Sequence, residues 1–202
     1  MRNKHYRNRI IIFLLIGITF ILLGCSSGVE ESPDPGIVRV TLQSDPTDKS
    51  IVIIGDTLIT EEDDQMIATI FQGRVYRDTI FSILFKDTDS FRQEDITVDL
   101  LKRNSAGEYQ EYTLFEYFVP PGNYDRVQFG LTSSQLDIGP LEIPVRLPPG
   151  ESSLLDIPAN FEVRENTTTE ITIQIKPLDS LQRFRDVYQF FRIVEVMDIN
   201  YL

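Results

Sequence analysis

The stretch Val38-Arg39-Val40-Thr41-Leu42 alternates apolar and polar side chains, and this alternation decides the fold. Successive side chains of a β-strand point to opposite faces, so a period of two predicts a strand with one buried face. The same period recurs at residues 127–131 and again at residues 171–175. The sequence therefore predicts an all-β protein.

Other apolar runs predict further strands, which are short and separated by turn sequences. These predicted strands are 50–54, 68–76, 79–85, 96–102, 109–119, 141–147, 161–164 and 188–196. Turn residues separate them at 104–107, 120–123, 148–150 and 165–166. About ten short strands with such breaks favour an antiparallel sandwich of two packed sheets.

One segment also fits a helix. Apolar residues between Leu181 and Phe191 have helical spacing, and they follow Asp179-Ser180, which could cap a helix. Residues 188–196 are, however, dense in aromatic and β-branched side chains. We therefore favour a turn that leads into a final strand.

The N-terminal segment predicts where the protein is located. Residues 21–25, Ile-Leu-Leu-Gly-Cys, have the pattern of the bacterial lipoprotein processing signal, after a basic segment and an apolar run at 10–23. That run is shorter than the about 20 residues of a spanning helix, which disfavours the alternative of an uncleaved signal anchor. We expect a signal peptide at 1–24, the acylated Cys25 with a flexible tether at 25–36, and a β-sandwich domain at 37–202.

The residues after the cysteine predict a tether and a membrane. Residues 26–36 are small and polar and contain two prolines, a composition that does not build a core. By resemblance to the enterobacterial sorting rule, Ser26 in place of Asp favours the outer membrane over the inner membrane. The lipid on Cys25 would attach the protein to that membrane.

The net charge and the cysteine content limit the kinds of partner and of cross-link that we expect. Loss of the signal peptide removes four positive charges, so the formal net charge goes from −12 to −16. An acidic domain lacks the basic stripe that nucleic acids require. Cys25 is the only cysteine, so we expect a monomeric domain that its hydrophobic core stabilises without disulfides.

Few catalytic residue types are available. The single histidine, His5, lies in the predicted signal peptide. The mature chain therefore cannot use a Ser-His-Asp or Cys-His mechanism or build a His/Cys metal site. We expect a non-enzymatic binding or structural module of the cell envelope, with an envelope protein or a glycan as partner. The alternative is a carboxylate-dependent hydrolase of envelope glycans.

We expect no cofactor that the fold requires, and two acidic clusters are the candidates for a calcium site if an ion binds. Glu61, Glu62, Asp63 and Asp64 are four consecutive carboxylates, and Asp87 and Asp89 are spaced as in many Ca²⁺ loops. The second cluster does not continue as an EF-hand, because Phe91 and Arg92 follow where an oxygen ligand and a glycine are required. Solvated acidic loops are the alternative at both places.

An aromatic stretch at 109–118 is a candidate glycan-binding surface. Strict alternation places Tyr112 and Phe118 on one face of a strand, and Tyr109, Phe115 and Tyr117 on the other. Core packing explains at least one of the two sets.

Several motifs together resemble the DUF4382 type of bacterial lipoprotein domain. They are 36–42 followed by Asp45-Pro46, then 119–129 with Val119-Pro120-Pro121-Gly122-Asn123-Tyr124, then 147–150 and 161–163. The hydrophobic-Pro-x-Gly-x-Tyr turn also resembles turns of transthyretin-like and carboxypeptidase-regulatory-like sandwiches. There Gly122 can adopt a positive φ, and the Tyr124 hydroxyl can reach the backbone. The resemblance implies an Ig-like or transthyretin-like envelope sandwich of unestablished activity, with no catalytic residues to carry over.

Overall fold

The computed structural model describes residues 32–202, and this part of the chain is all-β, as predicted. It contains fifteen strands and no helix. The strands are β1 (Gly36–Ser44), β2 (Ser50–Ile53), β3 (Asp56–Ile59), β4 (Ile67–Arg77), β5 (Ile80–Ile83), β6 (Ile96–Asp99), β7 (Tyr112–Val119), β8 (Gly122–Ser133), β9 (Gln135–Ile138), β10 (Leu141–Arg146), β11 (Leu154–Val163), β12 (Thr168–Ile175), β13 (Leu181–Phe184), β14 (Val187–Phe190) and β15 (Val194–Tyr201).

The strands form two larger sheets and two smaller ones. The first large sheet has the order β15-β12-β1-β7, and the second has the order β11-β8-β4-β5, with β6 also paired to β4. A third sheet has the order β13-β14-β10-β9, and β2 and β3 form a separate hairpin. The expected arrangement of only two sheets is therefore too simple.

One hydrophobic core joins the sheets. The inward side chains of β1 and β12, such as Val40 and Ile173, are fully buried, and so is Phe129 of β8. The rings of Phe115 on β7 and Phe129 on β8 lie 6.2 Å apart, which joins the two large sheets. Burial of such side chains stabilises the fold by about 1.5–3 kcal/mol each.

The prediction of purely antiparallel pairing is wrong for two strand pairs. β1 and β12 are parallel, from Ile37 opposite Thr168 to Ser44 opposite Ile175. β10 and β14 are also parallel. Alternation of apolar side chains gives a strand's buried face but not its direction, and a parallel pair needs a long connection in place of a hairpin.

The predicted strand at 188–196 is also wrong in its extent. The structure divides it into β14 and β15, which belong to different sheets. Between them Arg192 has φ +53°, and its buried guanidinium donates to Glu151 at 2.7 Å. Residues 181–190 form the β13–β14 hairpin, so the helical alternative is not adopted. β3, β9, β13 and the first part of β11 were not predicted.

The turn before β8 has the geometry that its sequence predicts. Gly122 has φ +146°, and the Tyr124 hydroxyl donates to the backbone oxygen of Pro120 at 2.8 Å. The Tyr124 ring stacks on Phe161 with centroids 5.4 Å apart. The tyrosine thereby fixes the start of β8 against β11.

Candidate functional site

A β-bulge in β4 re-aims the side chains that form the candidate site. Phe71 lies opposite Gly130 and Arg74 opposite Gln128, so β4 has two residues, Gln72 and Gly73, where β8 has one. Gln72 has φ +56°, a conformation that a non-glycine residue rarely adopts. Beyond the bulge Val75 points into the core, and its neighbours Arg74 and Tyr76 point outward.

Two rows of side chains therefore cross the outer face of the second large sheet. The first row runs from Asp156 on β11 through Gln128 and Arg74 to Ile83 on β5. The second runs from Pro158 on β11 through Arg126 and Tyr76 to Phe81 on β5. We call Arg74, Tyr76, Phe81, Arg126, Gln128 and Asp156 the arginine–aromatic face.

Stacking holds both arginines of this face in place. The guanidinium carbon of Arg126 lies 4.1 Å from the centroid of the Tyr76 ring, and that of Arg74 lies 4.9 Å from the Phe81 ring. The two rings pack on each other with centroids 5.5 Å apart. Such contacts fix a guanidinium without neutralising it.

Gln128 connects the polar groups of the face. Its amide oxygen accepts from the Tyr76 hydroxyl at 3.1 Å and from Arg74 at 3.4 Å, and its amide nitrogen donates to Asp156 at 2.9 Å. Asp156 also lies 3.4 Å from Arg126. In the described range no carboxylate lies within 4.0 Å of the Arg74 guanidinium. The face thus carries a local positive charge on a chain of net charge −12.

Sequence reasoning missed this face. Its signal is a pair of tripeptides, Arg74-Val75-Tyr76 and Arg126-Val127-Gln128, each with an inward valine between two outward polar residues. Nothing in the sequence indicates that the two tripeptides lie side by side, since β4 and β8 are far apart in the chain. The bulge also breaks the strict alternation that would have placed the first tripeptide correctly.

The first acidic cluster is partly a structural loop. Glu61, Glu62 and Asp63 are exposed, whereas Asp64 is buried. The Asp64 carboxylate accepts from the backbone N–H groups of Glu61 and Gly139, both at 2.7 Å. These two bonds tie the loop before β4 to the turn between β9 and β10.

The second acidic cluster forms a turn of its own. One carboxylate oxygen of Asp87 accepts from the backbone N–H of Asp89 at 3.1 Å and from the Ser90 hydroxyl at 3.0 Å. This is the Asx-turn geometry that aspartate often adopts in loops.

Calcium binding at either cluster stays a prediction. Among residues 32–202 no three His, Cys, Asp or Glu side chains are grouped so that they could hold a metal ion. If Glu61–Asp64 or Asp87 and Asp89 bind Ca²⁺, millimolar Ca²⁺ raises the Tm, because a ligand that binds only the native state stabilises it. Asn or Gln at those positions should abolish the rise, and an unchanged Tm of the wild-type protein contradicts the prediction.

The aromatic stretch at 109–118 mostly faces the core, and its predicted faces are wrong at Tyr112. Val40 lies opposite Phe115 and Thr41 opposite Thr113, so Leu114 is an extra residue in β7. This bulge turns Tyr112 to the same side as Phe115, and both pack on the core. Strict alternation places Tyr112 and Phe118 on one face, but in the structure only Phe118 of these two is exposed.

Asp48 is the described carboxyl group whose pKa is clearly raised. Its side chain is 5% exposed and accepts from the backbone N–H of Leu178 at 2.7 Å and of Asp179 at 3.2 Å. Burial raises the pKa of Asp48 to about 6, with smaller contributions from the negative charges of Asp179 and Asp45, although the two backbone bonds oppose the shift. A raised pKa is common at catalytic acids, but this carboxylate holds the 177–179 loop.

Stability should therefore fall as the carboxyl group of Asp48 ionises. The folded state binds this proton more tightly than the unfolded state, whose pKa is near 3.8. The contribution is fully present below about pH 4 and is lost as the pH rises through 6, by about 3 kcal/mol in total.

The measurement is urea unfolding of wild-type protein and Asp48→Asn between pH 3.5 and 7.5. The difference in unfolding free energy between them should change by about 3 kcal/mol in favour of the variant as the pH rises. A pH-independent difference would show that Asp48 titrates normally in the fold.

Cys25 and most of the predicted tether lie outside the described residues. The last residues of the tether, 32–35, are exposed and have no regular secondary structure before β1 begins at Gly36. Among the described residues there is no helix with the length and apolar character needed to span a membrane.

Comparison with known proteins gives no relative. No protein-family model, no curated protein and no solved structure matches the chain.

Proposed function

We propose that this chain is a lipid-anchored binding module of the bacterial cell envelope, without catalytic activity, and that it binds through the arginine–aromatic face. The arginine–aromatic face is the observation that carries the proposal. Surface arginines are usually solvated or paired, whereas Arg74 has no carboxylate partner among the described residues and is held by the ring of Phe81. Arg126 is held by the ring of Tyr76 beside Asp156. Aromatic and arginine side chains are the residues that contribute most to binding surfaces.

The exposure of the face supports this role. Phe81 and Ile83 are 45% and 41% exposed, at the β5 end of both rows. Apolar side chains this exposed, next to two guanidiniums, present a surface suited to a partner. The bulge at Gln72 and Gly73, which turns Arg74 outward, is the kind of irregularity that is common beside binding sites.

The anchor and the fold type belong to the same proposal. The processing signal at 21–25 supports acylation of Cys25, and Ser26 supports the outer membrane. We infer a transthyretin-like or Ig-like type of sandwich, as the DUF4382 resemblance implies. The tyrosine turn at Pro120 and Tyr124 supports this type, because its hydroxyl-to-backbone bond is typical of such folds.

The absence of catalysis is supported by the state of the carboxylates. The buried Asp48 and Asp64 are both bonded to backbone N–H groups of loops, so neither is free to transfer a proton to a substrate. Turnover of an envelope glycan by the purified protein, abolished by one carboxylate substitution, would contradict this part of the proposal.

Cys25→Ala should abolish membrane attachment. Without the thiol no acyl chain can be added, and the precursor remains uncleaved or is mislocalised. Intact-mass spectrometry of the membrane fraction should find the wild-type N terminus at Cys25 with the mass of its acyl chains. A mature N terminus without acyl mass contradicts the anchor.

Co-sedimentation tests the binding surface. The full chain, purified in detergent, is mixed with the insoluble envelope material that remains after detergent extraction. The mixture is then centrifuged. Wild-type protein should co-sediment, and Arg74→Gln combined with Arg126→Gln should reduce the bound fraction at least tenfold. Arg185→Gln is the matched control, because Arg185 also lies over an aromatic ring, that of Phe184, on a different sheet. Equal sedimentation of all three proteins contradicts the proposal.

A further inference from the structure

We infer that the arginine–aromatic face binds a short segment of an acidic glycan, a chain of sugar rings that carry carboxylates. This inference rests on the proposed function and names the ligand class of the same site.

The guanidiniums of the face have more donors than the protein satisfies. The Nε atoms of Arg74 and Arg126 are buried without a hydrogen-bond partner, and the bonds from Arg74 to Tyr76 and Gln128 are long, at 3.5 and 3.4 Å. A guanidinium offers five N–H donors in a rigid fork that matches a carboxylate. A ligand cannot reach the buried Nε atoms, so its acceptor must bind the terminal N–H groups of Arg74, and a carboxylate is the acceptor that would also neutralise this guanidinium.

The rings between the guanidiniums favour a sugar. The ring of Phe81 is 45% exposed and that of Tyr76 is half-buried, so both present an apolar surface beside the charged groups. Sugar rings have one C–H-rich face that packs on aromatic rings and hydroxyl groups that bond to polar side chains. Asp156, whose side chain is about half exposed, lies in the adjoining row to receive such hydroxyls.

The position of the two arginines within the sheet argues against an acidic peptide. β4 and β8 are inner strands whose backbone groups are paired with their neighbours on both sides. An extended peptide usually gains affinity from backbone hydrogen bonds at an open edge. At Arg74 and Arg126 side chains alone can therefore recognise the ligand, on a face about 14 Å wide over its four strands.

The net charge of the chain limits the ligand to a short segment. A long polyanion would be repelled by a protein of net charge −12. At physiological salt this repulsion is screened beyond about 8 Å, so contacts with Arg74 and Arg126 decide the affinity for a few sugars.

Isothermal titration of the full chain in detergent with trigalacturonate tests the inference. Its methyl ester is the matched ligand control, because it keeps the sugar rings and removes the charges. Trigalacturonate should bind, and both the ester and the variants Arg74→Gln and Arg126→Gln should bind at least tenfold more weakly. Arg185→Gln should stay within twofold of wild type.

Several results would overturn the inference. Equal binding of the ester and the acid would mean a neutral glycan, and tighter binding of a triglutamate peptide would mean an acidic peptide. If neither ligand binds while co-sedimentation with envelope material still depends on Arg74 and Arg126, the glycan inference fails and the proposed function stands. If co-sedimentation is also independent of these arginines, both fail. The comparison of ester with acid uses wild-type protein, so it does not depend on the folding of a variant.

Discussion

Phe129→Ala is expected to lower the free energy of unfolding by about 3–5 kcal/mol, the cost of removing a large ring from a packed core. Phe129 is fully buried in β8 and contacts the ring of Phe115 from the opposing sheet. The neighbouring backbone is fixed on both sides by β4 and β11, so the space can close only in part. Urea unfolding monitored by circular dichroism measures the loss.

The matched control for this variant is Phe118→Ala. Phe118 is 46% exposed on β7, and its removal should cost less than about 1 kcal/mol. If the two variants lose similar stability, the core does not lie between the two large sheets.

Gly36→Ala is expected to cost about 3 kcal/mol, at the upper end of the range for an overpacked site. A Cβ at this position would overlap the backbone oxygen of Arg164 and lie 2.7 Å from a methyl group of Val163. The oxygen is part of the backbone of the turn between β11 and β12, so it cannot rotate away as a side chain can. The parallel pairing of β1 with β12 begins at the next residue, Ile37.

Gly107→Ala controls for the general effect of replacing a glycine. Its added methyl group meets open space, and its φ of +81° alone should cost roughly 1–2 kcal/mol. In thermal unfolding, the Tm of Gly36→Ala should be lower than the Tm of Gly107→Ala. The reverse order would contradict the close approach of β1 to the 164–167 turn.

Local signals in the sequence were sufficient for strands such as β1 and β12 and for one turn. The alternation at 38–42 and at 171–175 gives β1 and β12 and their buried faces, because side-chain direction has a period of two. The turn before β8 could be predicted because its two determinants are local. Gly122 adopts a positive φ, and the Tyr124 hydroxyl bonds to the backbone of nearby Pro120.

Features that depend on distant strands could not be predicted from the sequence. Arg39 on β1 bonds to Glu170 on β12 across 131 residues, and nothing local indicates that these strands are parallel neighbours. The bulges at Gln72–Gly73 and at Leu114 each insert one residue into a regular strand. They reverse the faces that strict alternation assigns to Arg74 and Tyr112.

The candidate site depends both on distant strand neighbours and on a bulge, and the sequence indicates neither. Four strands contribute the arginine–aromatic face, and one of them turns its arginine outward only beyond a bulge. Acidic runs such as Glu61–Asp64 were conspicuous in the sequence because their members are consecutive, yet Asp64 is a loop carboxylate bonded to backbone. The side chains that form the arginine–aromatic face are neighbours across strands and not along the chain.

Photo-crosslinking in living cells that produce the protein tests the central claim most directly. The full chain is made with p-benzoylphenylalanine in place of Phe81, and in a second protein in place of Phe184, which is also exposed, at 57% against 45%. Irradiation should produce a slow-migrating adduct from position 81 and none from position 184. Adducts at position 184 without adducts at position 81 would contradict binding through the arginine–aromatic face.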